Sequence, residues 1–225
     1  MKPGRLRRPI VNKTMMQTTP SHSLDRSWSR GWQQLGLAAP TGLQQQLLQA
    51  WSEPHRSYHT LQHLAECLAH FESLRHLVAH PGEVEIALWF HDAVYDPKGS
   101  GNELHSAQWA GRELAAVGAS GPQIERVHAL IMATCHLAHD RPAGYDGDME
   151  LLLDIDLSIL GADATRFAEY EQQVRAEYAW VPSFIYQLKR REVLQSFAQR
   201  PRIYGTEAMH ALLETRARAN LAAAG

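Results

Sequence analysis

The chain is predicted to fold as an all-α helical bundle, and three observations carry that prediction. From Trp28 onward nearly every segment repeats apolar residues at intervals of three and four, the period of a helix with one buried face. Strict apolar-polar alternation suited to a strand is missing. Proline and glycine fall where helices begin and end.

Taken in order, the periodic segments place helices at about 41–52, 58–78, 82–95, 102–117, 122–138, 148–160, 163–180, 183–199 and 206–222. Pro81 and Pro122 stand where a first helical turn tolerates proline, and Gly118 and Gly161 lie just past periodic runs. Pro97-Lys98-Gly99-Ser100-Gly101 is the clearest loop. Residues 140–147, interrupted by Pro142 and Gly144, make a second. No internal repeat and no low-complexity block follows residue 26.

The 225 residues suffice for one substantial core, so a single domain is expected over residues 27–225. A hydrophobic fraction of 44% with 20% charged residues suits a soluble globular chain, and no apolar run approaches a membrane span. Residues 1–26 hold six basic side chains, Lys2, Arg5, Arg7, Arg8, Lys13 and Arg26, against Asp25 alone. This segment reads as a flexible, solvated basic tail, with neither a nucleic-acid partner nor a membrane expected. Pro9, Asn12 and Lys13 interrupt the only candidate secretory stretch. Cys67 and Cys135 are too few for a disulfide framework and fall in segments that read as buried helix, which fits a reducing cytoplasm.

The thirteen histidines draw attention because many cluster with acids and aromatics. His59 and His63, four apart in a predicted helix, would share one face and could serve a metal or an anion; the ordinary alternative is a polar stripe. His91 and Asp92 sit inside the apolar run 87–97, where an ionised carboxylate is costly unless paired or bound to a metal. Asp154 and Asp156 interrupt a second apolar helix. They point about 200° apart, so one is expected at the metal and the other in a hydrogen bond elsewhere or at a helix cap.

His59, then adjacent His91-Asp92, then Asp156 resemble the H…HD…D signature of the HD superfamily of metal-dependent phosphohydrolases. More narrowly, PHRSYHTLQHL, ALWFHDAVYDP, NELHSA, DIDLSILG, VRAEYAW and RIY are similar to a group of uncharacterised bacterial predicted HD phosphohydrolases, over about Trp28 to Tyr204. The resemblance implies an HD-domain-like helical bundle holding one metal, or two, with His59, His91, Asp92 and Asp156 as ligands. Asp92 would bridge to a second ion, for which His63 and His136 are further candidates. Asp156 is preferred over Asp154 because Ile155-Asp156-Leu157 matches the ending of the superfamily signature. Imidazole and carboxylate suit Mn, Fe, Co, Ni, Zn or Mg, and the sequence does not choose among them.

The expected activity is hydrolysis of a small-molecule phosphoester, with a nucleotide as the default substrate, through metal-activated water. Asp92 and Glu103 are the catalytic candidates, Glu103 competing with a helix-capping role. Arg56, Tyr58, His63 and Arg190 are the candidates for substrate binding. Their ordinary alternatives are an interhelical salt bridge for Arg56, a core position for Tyr58 and a solvated helix face for Arg190 and Arg191. Trp89, Phe90, Tyr178 and Trp180 read as core. Two rival readings stand beside hydrolysis: a di-iron oxygenase of HD type, and a non-catalytic nucleotide-binding or sensor module.

Overall fold

A computed structural model describes residues 20–135 and 146–224, and among them every regular element is helical. The first helix, α1 (Pro20–Leu35), was not among the predicted elements. It buries Leu24, Trp28, Trp32 and Leu35, a stripe at intervals of four, four and three. Its first turns overlap the segment read as a tail, so residues 20–26 are helical. Polar residues between the tryptophans mask that stripe in the sequence.

Two further helices lead to the centre of the molecule: α2 (Leu43–Ala50) and α3 (Leu61–Leu74), the latter continuing as a 3-10 turn over Arg75–Leu77. Next comes α4 (Pro81–Phe90), in which every residue from Gly82 to Phe90 is buried. A helix buried on all sides belongs at the centre, and α1 and α3 pack on it, as do the later α5 (Asn102–Ala116), α6 (Gly121–Ala133) and α7 (Gly147–Asp156). A Cβ on Gly82 would lie 3.0 Å from the Gly31 carbonyl oxygen, so glycine lets α1 and α4 touch. The carboxylates of α4 are neutralised by its neighbours. Glu85 accepts from Ser27 Oγ at 2.6 Å and from Arg30 Nε at 2.9 Å, and Glu83 takes two bonds from Arg126 at 2.6 Å each.

A 3-10 extension, Leu157–Gly161, follows α7 and leads to α8 (Ala164–Glu177), α9 (Ser183–Ala198) and α10 (Glu207–Ala224). The last helix packs on that extension, on α7 and on α9. Asp154 fastens the turn before α10, accepting from Gly205 N and Thr206 N, both at 2.8 Å, and from Thr206 Oγ1.

Two predicted helices end short of their motif residues. The helix expected over 58–78 begins at Leu61, because Thr60 is extended (φ −120°, ψ −179°) and its hydroxyl caps Gln62 N. His59 therefore precedes the helix and does not share a helical face with His63. The helix expected over 82–95 ends at Phe90, leaving Asp92 in the turn beyond it. His136 and the 136–138 end of a predicted helix lie outside the described residues, as does most of the 140–147 loop. Trp180 is exposed, contrary to its core assignment, and Cys135 is only half-buried. No described helix is long and apolar enough to cross a membrane.

The position of α1 has a measurable consequence. Leu24→Ala should lower unfolding free energy by about 2–3 kcal/mol in urea titration, whereas Arg26→Ala, on the exposed side, should change it by less than about 0.5 kcal/mol. Equal effects would show that α1 does not belong to the core.

Candidate metal centre

The site is assembled from two irregular segments, residues 56–59 before α3 and 91–95 after α4. The backbone of each would leave polar groups unpaired, and one buried side chain serves both. Arg56 donates from Nη1 to the carbonyls of His59 at 3.1 Å and Asp92 at 2.7 Å, and from Nη2 to Ala93 at 3.0 Å. Its guanidinium also lies over the rings of Trp51 and Tyr95. The donors that were expected to meet phosphate are thus spent on main-chain carbonyls, and Arg56 is a strut rather than a substrate ligand.

Glu177, at the end of α8, is the second tie. Its Oε1 accepts from the amides of Ser57, Tyr58 and His59 at 2.8, 2.8 and 3.0 Å. Its Oε2 pairs with His59 Nδ1 at 2.8 Å and accepts from Tyr95 OH at 2.9 Å. Burial alone would raise this carboxyl, but the bonds to His59 and to the amides outweigh it and hold the group at about 2.

Within this frame four side chains converge. His91 Nε2 is 3.1 Å from Asp92 Oδ2 and 3.4 Å from Asp156 Oδ1; His63 Nε2 is 3.2 Å from His91 Nε2, 3.1 Å from Asp156 Oδ1 and 3.7 Å from Asp92 Oδ2. Ligands at roughly 2.1 Å from one ion stand about 3.0–3.4 Å apart in octahedral or tetrahedral arrangements, so these donors fit a shared cation. The far nitrogens are already engaged: His91 Nδ1 donates to Leu88 O at 2.8 Å, and His63 Nδ1 faces Tyr58 OH at 3.1 Å. Both Nε2 atoms are thereby turned to the cluster. Trp51 lies behind the two imidazoles, 6.2 Å from His63 and 5.4 Å from His91 between ring centroids, with its Nε1–H on Trp89 O. Without a cation, the two carboxylates overcome the burial that would lower His91 and push its imidazole well up.

The buried group His63, Cys67, His91 and Asp156 could hold a metal ion, its donor atoms all lying within 4.8 Å of one another. The Cys67 sulfur is 3.7 Å from His63 Nδ1 and 3.8 Å from Nε2. Near-equal distances put it beside the ring, away from the Nε2 lone pair. Asp92 is the better-aimed fourth donor.

Of the four ligands expected from sequence, His91, Asp92 and Asp156 meet here. The fourth side chain, and the second imidazole, is His63, which had been named for a second ion and for substrate. His59 stands outside the cluster, its ring stacked on Tyr95 at 4.1 Å and facing a cleft of about 440 Å³. Asp154 is committed to the α10 turn. Tyr58 has its hydroxyl on His63 and also lines the cleft. Arg190 and Glu103 do line the cleft, with Arg190 paired to Glu171 and lying over the Tyr170 ring. Glu177 was not singled out from sequence, and Cys67 was read only as a buried cysteine. Glu177 meets partners more than a hundred residues away, and no local pattern marks such a contact.

No family model, curated protein or solved structure matches the chain.

The Glu177 tie predicts a pH dependence of stability. Because its folded-state pKa lies below the ordinary 4.5, its contribution is complete above that value and is lost as pH falls toward about 2. Glu177→Gln should remove about 2–3 kcal/mol at neutral pH and flatten the stability profile between those limits, as read by denaturant unfolding. An unchanged profile would refute the assignment.

Proposed function

We propose that the chain is a metal-dependent phosphohydrolase of the HD type, with His63, His91, Asp92 and Asp156 holding a divalent cation. The observation that carries this reading is the convergence of two Nε2 atoms and two carboxylates beside a cleft lined by His59, Asp92 and Asp156. The resemblance of the sequence to the HD signature supports it, with the first histidine reassigned from His59 to His63. A bound cation would polarise a phosphoryl oxygen and acidify a neighbouring water for in-line attack.

The remaining work falls to groups of the chain itself. His59 has Nδ1 fixed on Glu177, so Nε2 is the nitrogen left for the cleft, suited to giving a proton to the departing ester oxygen. Tyr95, stacked on His59 and bonded to the same carboxylate, fixes the plane of the imidazole. Tyr58 sets the orientation of His63. Glu103, in the first turn of α5, is placed at the cleft to order water.

Metal analysis after purification should find a divalent ion, with affinity lowered roughly 100-fold or more in His63→Ala and Asp156→Ala. Asp154→Asn should keep the metal while losing stability. His59→Asn should keep the metal and lower kcat by about 10²–10⁴ on phosphoesters. Asp92→Ala should abolish turnover yet retain its helical circular dichroism, and chelation should likewise leave helical content intact, since the core is apolar and extensive. Metal retained in His63→Ala, or wild-type turnover in folded Asp92→Ala, would sink the reading. Oxygen consumption by an iron-loaded protein would favour an oxygenase, and tight nucleotide binding without turnover a sensor.

A further inference from the structure

The cleft beside the cluster extends over the Leu157–Gly161 turn, α8 and α9, and its chemistry there differs from that of the metal end. Leu157, Ile159, Leu160, Val174, Val193 and Phe197 supply an apolar wall. The polar groups along it are largely committed within the chain. Tyr95 OH is on Glu177, Asn102 bonds the main chain of Asp96, and Thr134 Oγ1 is on Ile131 O. The two cations on this side carry carboxylates of their own: Arg190 pairs with Glu171, and Lys189 Nζ lies 2.8 Å from Glu192. A chain of phosphates entering here would meet mostly apolar surface, an Arg190 already held by Glu171, and the carboxylate of Glu103. One further atom points to an organic ligand: the Tyr186 hydroxyl, on a residue of the same wall, is buried and has no hydrogen-bond partner among the described residues.

We infer that the cleft takes the monophosphate ester of a largely apolar alcohol, its single phosphoryl group at the cluster and its organic body against Leu160, Val193 and Phe197. This rests on the hydrolase reading for the phosphoryl end and adds the class of leaving group. It sets the chain against nucleoside triphosphates as substrates.

Two non-hydrolysable probes that differ only in the organic group test the inference: 2-phenylethylphosphonate and ethylphosphonate. They are titrated calorimetrically into the full chain loaded with Mn or Zn, with adenosine triphosphate as a third ligand. The phenylethyl compound should bind roughly 10- to 100-fold more tightly than the ethyl compound, as expected for burying a ring in an apolar pocket, and more tightly than the triphosphate. Val193→Asn, at a half-exposed position that tolerates change, should reduce that ratio several-fold. Equal affinity for the two phosphonates, or preference for the triphosphate, overturns the inference and leaves the hydrolase reading standing. Failure of every probe to bind the metal-loaded chain overturns both, and a ratio unchanged in Val193→Asn overturns the assigned wall.

Discussion

The guanidinium of Arg56 joins the two segments from which the site is made. Helix α3 begins too late to contain His59, and α4 ends too early to contain Asp92, so both motif residues lie on backbone that helical bonds do not hold. Unpaired carbonyls there would each carry a desolvation cost of about 1–3 kcal/mol in a buried setting. Arg56 meets three of them from one side chain, and its planar fork matches the spacing of adjacent carbonyls 92 and 93 in a way that an ammonium would not. The placement of Asp92 thus follows from a contact made behind it, on the side away from the cleft.

Glu177 does the complementary work with the opposite charge. Three successive amides converge on one oxygen, leaving the other for His59 and Tyr95. Together a buried cation and a buried anion organise residues 56–59, one taking carbonyls and the other amides. Similar pairing recurs at Glu83 and Glu85, where the central helix carries acids that only its neighbours can neutralise. Most ionised groups buried in this fold are therefore fasteners between elements, and the cluster at His63 and His91 differs in facing donors toward a shared point.

The helical class and most helix cores were legible from periodicity, since outside the wholly buried α4 the apolar stripes follow from burial of one face. The helix ends at Leu61 and Phe90 were not, because the contacts that stop those helices come from Arg56, Thr60 and distant Glu177. That is why His59 was read as sharing a face with His63. The pairing of His91 with Asp92 and the division of labour between Asp154 and Asp156 were visible, as adjacency and helical angle are local properties. The α1 helix escaped because its apolar face is built from widely spaced tryptophans among polar residues.

Trp51 closes the rear of the cluster, with its indole N–H donated to Trp89 O. His63 and His91 are almost wholly enclosed, while Asp92 and Asp156 retain 17% and 10% side-chain exposure. Solvent therefore reaches the four donors from the carboxylate side, which is also the floor of the cleft. Among the described residues, a cation held there and a ligand lying in the cleft would share this approach. Exchange of the ion would then be slowest when the cleft is filled, giving the complex a kinetic order in which the organic ligand departs before the metal.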